Sequence, residues 1–595
     1  MRAPTPFRRL ALAAALVAGA AAPRALAAQG DDAPGPCPDG VVSQIFVDNN
    51  SVFVVGDPEL DARFNWAYRL ANQLHVRTRE GVIRRELLFR EGSCYRPELL
   101  EDSERILRAA PFIADADVFA VPQGDGSHHV IVETRDEWST RLEPQFQSGG
   151  EVALTGVELR EDNLFGRGQR VSAWSKESQG ERIYGVGVAT TQLLRSHLDA
   201  EAAIGKTPVG FSYQERVTYP FRGEGGRWAA RQSFEHEARN FEFFLPQPGG
   251  LDRRFFPVER TAFDFGVVHR LGRRGRLTLF GVGMAGEWVL YPQDTLAADD
   301  DGPEGAIPAP PQFVPGLDTL ESVRVMFLAG QRNVFFDRRR ALDAVRGVED
   351  VRLGFEAELG IGRSLNTFST DDDLAARVGL SAAGDLPGGV LGGMRLEVEA
   401  QRDYGADTDG REWRNVFGQL DAWGYWRPGP ESGHTWVAAL RGSGGWYPSV
   451  PFQLTLGNRS GLRGYTGHTH AGERRVVGTL EHRAYLGWPY PRLFDLGTAL
   501  FVDAGATWAG GDSFGENSGV RVGAGGGLRL AFPPGSRQTY RIDVAFPAAP
   551  DFRPGKLQVT IGVGQAVGRG AVREDPQVRR SASRTLSTSL FNYPN

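Results

Sequence analysis

Two side chains of opposite charge are the leading candidates for chemistry in this chain. Arg463 lies in the Gly-rich segment Leu462–Tyr465, and Asp503 lies in the alternating segment Phe501–Gly505. A guanidinium can donate two parallel hydrogen bonds to one carboxylate, so a loop arginine and a strand aspartate can form one buried ion pair. Such a pair carries out no reaction on a substrate. It would fix the loop against the strand.

Other residues offer enzyme or metal chemistry, but their surroundings argue against both. Gly511–Gly515 fits the GxSxG pattern of a nucleophile elbow. That site requires a strand, a turn and a helix, and no helix pattern follows here. His468 and His470 could bind a metal ion, yet no third ligand is evident. We therefore predict no enzyme activity, no metal and no bound cofactor.

Composition limits the kinds of structure that could position these residues. The formal net charge is −6 over 595 residues, which gives no indication of a nucleic-acid partner. After the N-terminus there is no run of about 18 apolar residues, which excludes a helical membrane protein. A transmembrane β-barrel is allowed, because its strands alternate between polar and apolar residues.

The N-terminus has the features of a secretory signal peptide over residues 1–28. A basic start precedes the apolar stretch Leu10–Ala22, which is too short to span a membrane, and small residues for cleavage follow. Export would place the mature chain in an oxidising compartment. The only two cysteines, Cys37 and Cys94, are therefore predicted to form a structural disulfide rather than a redox or metal pair.

Residues 41–137, after a linker at 29–40, predict a small α+β domain. A strand pattern at 41–50 is followed by two helical patterns, and Pro97 suits the first turn of the second helix. Two further strand patterns close the unit. We expect a small sheet with both helices on one face.

Residues 138–567 predict a transmembrane antiparallel β-barrel of 16–20 strands. About 20 alternating segments are separated by Gly-rich or Asx-rich turns. In the closing segments one face is apolar and the other carries charges and glycines, as lipid outside and water inside require. An even strand count returns both ends to the side of the N-terminal domain. The polar tail at 568–595 is therefore predicted to be periplasmic.

The predicted connections differ in length between the two ends of the barrel. Those after odd strands include the long ones, whereas those after even strands are mostly short, as in outer-membrane barrels. The long connections are 240–258, 294–320, 364–374 and 449–474. Residues 337–349 are an exception to this rule. The loop of Arg463 is thus expected on the extracellular side.

Strand alternation predicts which way the acidic side chains point. Asp503 shares a face with Phe501, and Glu481 lies on the polar face of the preceding strand. Both carboxylates are expected in the lumen, so the loop must fold back into the barrel for Arg463 to reach them. In that loop Gly464 permits a tight turn and Tyr465 can pack on the wall.

Several passages of the chain resemble a known group of barrels. The barrel region resembles the BamA/TamA superfamily of outer-membrane assembly and translocation proteins. The passages are GVELREDNLFGRGQRV (156–171), GLRGY (461–465), FVDAG (501–505) and VGAGGGLRLAFPPGSRQTYRIDVAFP (522–547). The passage LLFREGSCYRPELLEDSERILRAAPFIADADV (87–118) is similar to a POTRA domain, so the chain would carry a single POTRA-like domain.

The resemblance implies a function, a location and partners. It implies that Arg463 pairs with Asp503 in the lumen, and that the chain lies in the outer membrane of a Gram-negative-type bacterium with its POTRA-like domain in the periplasm. Unfolded outer-membrane or secreted protein clients would bind that domain and pass or insert at a seam between the first and last strands, in contact with outer-membrane lipid. The alternatives are a passive, porin-like diffusion channel and a lipid transport or biogenesis factor.

Overall fold

The computed structural model describes residues 37–592 apart from several short gaps. The gaps are 57–59, 149–151, 180, 248–249, 292–294, 299–306, 309–318, 405–411, 430–431, 487–492 and 551. The predicted signal peptide (1–28) and residues 29–36 of the predicted linker lie outside the described residues. None of the helices in the described part of the chain is long and apolar enough to cross a membrane.

The N-terminal unit is a three-stranded sheet with helices on one face. Its elements are β1 (Val42–Asn50), α1 (Asn65–Leu74), α2 (Glu80–Glu86), α3 (Pro97–Ala109), β2 (Ile113–Pro122) and β3 (His128–Asp136). The sheet order is β1-β3-β2, with β1 parallel to β3. In α3 the apolar positions Leu100 and Leu107 recur on one face and are buried against the sheet. Cys37 and Cys94 form a disulfide beside β1.

A closed antiparallel barrel follows, which confirms the predicted fold class. Its first ten strands are β4 (Thr140–Ser148), β5 (Val152–Glu161), β6 (Gln169–Ser178), β7 (Glu181–Thr190), β8 (Asp199–Thr207), β9 (Gly210–Tyr219), β10 (Trp228–Gln247), β11 (Gly250–Arg273), β12 (Arg276–Leu290) and β15 (Thr319–Arg340). Two short strands, β13 (Thr295–Ala298) and β14 (Ile307–Pro308), lie between β12 and β15. Consecutive strands pair in the barrel order.

The second half of the barrel completes a wall of 20 long strands in the described residues. These strands are β16 (Val348–Ser364), β17 (Asp373–Leu386), β18 (Val390–Asp403), β19 (Trp413–Trp426), β20 (His434–Trp446), β23 (Arg474–Leu486), β24 (Asp495–Trp508), β25 (Arg521–Ala531), β26 (Tyr540–Ala549) and β27 (Gln558–Val563), with the short pair β21 (Leu454–Leu456) and β22 (His470–Gly472) lying between β20 and β23. The barrel closes where β27 meets β4. The count agrees with the upper end of the predicted range.

The N-terminal unit lies against one end of the barrel. Arg108 Nη2 donates to Asp350 Oδ1 at 2.7 Å, and Arg135 Nη1 donates to the carbonyl of Pro534 at 3.0 Å. Asp350 lies beside the β15–β16 connection and Pro534 lies in the β25–β26 connection, and these follow the tenth and eighteenth strands of the barrel wall. We call this end of the barrel the near end and the opposite end the far end.

Two predicted connections differ from those in the structure. The predicted loop 240–258 is mostly strand, because β10 runs to Gln247 and β11 starts at Gly250. The phenylalanines in this hairpin explain the extension: Phe241, Phe243 and Phe256 are buried together. The connection predicted at 337–349 shrinks to residues 341–347, since β15 continues to Arg340.

The C-terminal tail corrects a third prediction. Residues 568–595 were expected in the periplasm, but residues 564–592 contact inward-facing side chains along the barrel wall. The tail forms short turns at Arg569–Ala571, Arg584–Leu586 and Ser589–Asn592, and a one-turn helix at Pro576–Arg579. The reason is chemical: the inner wall offers carboxylates, guanidiniums and an apolar pocket that match the serines, threonines and apolar residues of the tail.

Candidate functional site

The loop that contains Arg463 folds into the barrel, and we call residues 447–473 the inward loop. It leaves β20, forms the short pair β21 and β22, and returns to β23. Between β21 and β22 a turn at Asn458–Ser460 is closed by the amide of Leu462, which donates to the carbonyl of Gly457 at 3.0 Å. Leu456 and Leu462 are buried against Val477 of the wall. Apolar packing therefore holds the loop on both sides of the turn.

Arg463 lies at the centre of a buried charge cluster. Its Nε donates to Asp503 Oδ2 at 2.8 Å and its Nη2 donates to Asp503 Oδ1 at 2.9 Å, which is the bidentate arrangement. Its backbone amide also donates to Asp503 Oδ2, at 3.1 Å. Its Nη1 donates to Glu481 Oε2 at 2.8 Å. All three side chains are buried.

Three residues that the sequence analysis did not assign to the cluster complete it. Asp543 Oδ2 lies 3.5 Å from Arg463 Nη1, and its Oδ1 accepts a hydrogen bond from Arg529 Nη1 at 2.6 Å. The guanidinium carbon of Arg463 lies 3.3 Å from the ring centre of Phe501, a cation–π contact. The period of two had already placed Asp543 and Arg529 on the inner face. Alternation alone does not show which inward-facing side chains of different strands meet.

The neighbours of Arg463 fix the loop backbone against the closing strands. Gly464 has φ of +93°, and a Cβ there would collide with the backbone of Phe546 on β26. The hydroxyl of Tyr465 donates to the carbonyl of Ala549 at 2.9 Å. Asn458 Nδ2 donates to Thr560 Oγ1 of β27 at 2.9 Å. The inward loop thus reaches every strand from β23 to β27.

The outer part of the inward loop is covered by the β10–β11 hairpin. Gln453 accepts from the amide of Phe244 at 2.8 Å and donates to Asp512 Oδ2 at 2.9 Å. His468 stacks on the ring of Phe244 with ring centres 4.2 Å apart. Burial, helped by the charge of Arg459, lowers the pKa of His468 from its ordinary 6.5 to about 3. The neutral imidazole accepts from Arg459 and bonds to Thr455.

The charge cluster continues into the tail. Glu481 Oε1 accepts from Arg483 Nε at 2.8 Å, and Arg483 Nη2 donates to the carbonyl of Val567 at 2.7 Å. Arg529 Nε donates to Gln565 Oε1 at 2.8 Å. Loop, wall and tail therefore share one hydrogen-bonded network.

The residues considered for other chemistry lie elsewhere. Ser513 is in the connection between β24 and β25, with a turn rather than a helix after it. His470 Nδ1 contacts Glu516 Oε1 at 2.5 Å, whereas His468 faces Phe244. In the described residues, the side chains of His468 and His470 therefore have no contact partner in common.

Comparisons with known proteins give similarity in fold only. No family model and no curated protein matches this chain. Among solved structures, BamA from Haemophilus ducreyi lacking POTRA domains 1–3 is similar at 12% identity and a TM-score of 0.35, over 87% of this chain and 83% of that one. BamA, which the sequence motifs had indicated, is thus among the structures that this chain resembles.

Two structures of CdiB are also similar to this chain. CdiB from Escherichia coli has 15% identity and a TM-score of 0.33, over 90% of this chain and 92% of that one. CdiB from Acinetobacter baumannii has 10% identity and a TM-score of 0.33, over 88% and 73%.

Proposed function

We propose that this chain is an outer-membrane barrel that assists the assembly, insertion or translocation of protein clients, and that residues 41–137 are its periplasmic, POTRA-like domain. In this proposal the near end faces the periplasm and the far end faces outward. The proposal itself rests on how the inward loop meets the closing strands.

The observation that carries the proposal is the contrast between the two sides of the barrel seam. The closing strands on one side of the seam are tied to the inward loop, β24 to β26 through the Arg463 cluster, Gly464 and Tyr465, and β27 through Asn458. The last strand, β27, has 6 residues, and its neighbour β4 has 9. A short pairing opens more readily than a long one, and an opened pair presents strand edges that an incoming strand can extend. A fixed loop beside a short seam suits strand-by-strand assembly.

The outside of the closing strands fits a lipid environment. On β24 the side chains of Leu500 and Val502 point outward and are 64% and 48% exposed. Asp503, on the inner face of the same strand, is buried. Lipid requires such an apolar outer face. This pattern supports placement in the outer membrane.

The N-terminal unit supports the role of a docking domain. On the face of its sheet away from the helices, Phe46, Ile131 and Phe119 lie side by side in register, and both phenylalanines are exposed. An exposed row of apolar residues across a sheet indicates a binding surface for extended apolar segments. The unit lies at the near end, where a periplasmic client would arrive.

The test of the proposed function is client insertion into liposomes by Arg463→Ala. We expect at least a tenfold slower insertion, because the substitution leaves Asp503 and Glu481 buried without their main partner. Arg459→Ala is the matched control, since Arg459 lies in the same loop and is exposed. Insertion by Arg463→Ala at the unaltered rate, with a folded barrel, would contradict the loop's role.

A passive diffusion channel is the second candidate. A charged lumen favours it, but the inward loop and the tail both cross the lumen in the described residues, which disfavours a permanently open pore. Planar-bilayer recordings separate the two: a porin gives large steady currents, and a filled barrel gives small, brief ones. Lipid transport is a third candidate function, which is tested by adding labelled lipid in place of the protein client.

A further inference from the structure

The tail is held in the lumen through its side chains, such as Ser583 and Thr588, and also through its main chain. Five arginines on the wall donate to tail carbonyls, and we call them the carbonyl ladder: Arg239, Arg260, Arg270, Arg441 and Arg483. Arg441 Nη2 donates to Ala571 at 2.9 Å, and Arg239 Nη2 donates to Arg580 at 3.0 Å. A carbonyl is present in every residue, so these contacts are blind to the side chains of the bound segment.

Two members of the ladder are buried without an ion pair, although Arg270 also lies 3.6 Å from the ring centre of Phe221 and donates to the carbonyl of Gly223 at 3.2 Å. Arg260 and Arg270 are 6% and 2% exposed, and within the described residues neither forms an ion pair. Arg260 donates to the carbonyls of Ala582 and Arg580, both at 3.2 Å, and its Nε has no partner. A buried charge without hydrogen bonds is strongly unfavourable. Arg260 therefore needs hydrogen-bond acceptors inside the lumen, which either a polypeptide or water can supply.

An apolar pocket receives the end of the same segment. Leu586, Leu590 and Phe591 are buried in it, and its walls are inward-facing apolar side chains of β10, β11, β12, β15 and β17. The carbonyl of Phe591 accepts from Arg270 at 3.4 Å, so the ladder ends at this pocket. Phe221, in the near-end connection 220–227, also lines it. The pocket therefore lies where a chain entering from the near end would first arrive.

We propose that the carbonyl ladder and the apolar pocket form a binding site for the main chain of an extended client polypeptide, and that the tail occupies this site until a client displaces it. The occupant in trans is an unfolded segment with an aliphatic or aromatic anchor. This inference rests on the proposed function and assigns a path within it. The tail has an advantage while it is tethered, because a tethered segment has an effective concentration in the millimolar range.

The experiment uses full-length protein in liposomes with a disulfide that holds the tail. A Cβ built on Gly360 would lie 3.2 Å from Thr588 Cγ2, an atom at the position a cysteine sulfur can occupy, so Gly360→Cys with Thr588→Cys is a suitable pair for a disulfide. The first probe is a fluorescent synthetic peptide with the sequence of residues 565–592, and the second is a scrambled version of it. Thr588→Cys alone, treated with the same oxidant and reductant, is the matched control.

A second pair of variants separates release from recognition. Phe591→Ala weakens the anchor of the tail, so we expect the peptide to bind about a hundredfold more tightly than to wild type. Adding Arg260→Gln to Phe591→Ala should weaken that binding about tenfold, because two charge-assisted hydrogen bonds are lost, and Arg260→Lys should restore part of it. Arg182→Gln, at an exposed arginine of β7 outside the site, should change nothing. A scrambled peptide that keeps Leu586, Leu590 and Phe591 in place should bind more tightly than one that moves them, because both keep the carbonyl contacts and only the first keeps the anchor.

The outcomes distinguish this inference from the proposed function. It predicts that the oxidised lock abolishes both peptide binding and client translocation, and that reductant restores both. Equal peptide binding with the lock closed and open, or no effect of Arg260→Gln, would show a permanent plug and overturn the inference. Client insertion that continues with the lock closed would leave assembly at the seam intact and would also overturn it. Peptide binding without any client insertion by wild type would instead refute the proposed function.

Discussion

The inward loop and the C-terminal tail both lie inside the barrel, but they are held in different ways. The loop depends on Arg463, whose guanidinium nitrogens lie 2.8 to 2.9 Å from the carboxylate oxygens of Asp503 and Glu481. The tail depends on many separate contacts along the wall, several of them to its main chain. A compact buried charge cluster holds the loop in one position. Contacts that are spread along the wall can be lost one at a time, so another polypeptide can replace the tail stepwise. The loop is thus suited to a fixed part and the tail to a replaceable one.

The largest expected effect comes from removing the acceptor of the loop arginine. Asp503→Ala leaves Arg463 buried with three of its five hydrogen bonds unmade, so we expect the barrel to lose about 3–5 kcal/mol of folding free energy. Urea unfolding followed by the shift in electrophoretic mobility measures it. Asp512→Ala, which alters a carboxylate of the far-end connection, is the comparison. Equal losses for both would mean that the cluster has no special role.

Cutting the anchor of the tail should act on the tail alone. Phe591→Ala creates a cavity in the apolar pocket and should weaken tail docking by about 3 kcal/mol. The expected result is faster proteolysis of the tail from the near end, with barrel unfolding unchanged. Loss of barrel stability of the same size would contradict the separation between loop and tail.

A smaller effect is expected from the backbone of the loop. Gly464→Ala places a side chain at φ of +93° and against the backbone of Phe546, so it should destabilise the loop by about 1–3 kcal/mol. Gly467→Ala is the matched control, because its Cβ would meet only ordinary contacts with Arg459. Deuterium uptake by residues 447–473, followed by mass spectrometry, reports the difference. Equal uptake in the two variants would argue against a fixed loop.

The smallest expected effect is a dependence of the loop on pH. With the pKa of His468 at about 3 in the closed loop and near its ordinary 6.5 when released, the released form gains a proton first as the pH falls. Closure is therefore fully stable above pH 6.5 and weakens towards pH 3. Between pH 7.5 and 5.5 the released fraction should rise roughly tenfold. His468→Gln should remove that rise in deuterium uptake, and a rise that persists would assign it to another group.

The sequence was informative where one rule governs one residue. A period of two located the strands and the inner face, because the barrel separates lipid from water at every second residue. The pairing of Arg463 with Asp503 came from the resemblance of GLRGY and FVDAG to the family motifs, and the alternation supported it by placing Asp503 and Glu481 on the inner face. The phenylalanine-rich hairpin at 240–258 was mistaken for a loop, since its strands extend beyond the usual length and lack a recognisable turn.

The position of the tail could not be predicted for a different reason. Its serines, threonines and arginines have no period of two and are typical of a solvated segment. Its partners, such as Glu287, Arg324 and Glu358, are spread over distant strands and have no common motif. Only the assembled wall brings them to one path.

Hydrogen exchange of both segments in one sample of full-length protein in liposomes tests the central claim most directly. The claim is that the inward loop is fixed and the tail is replaceable. Amides at 458–465 should exchange at least a hundredfold more slowly than those at 576–591, and an unfolded client should accelerate exchange only in the tail. Equal rates for the two segments, or a client that accelerates exchange in the loop and not in the tail, would contradict the account.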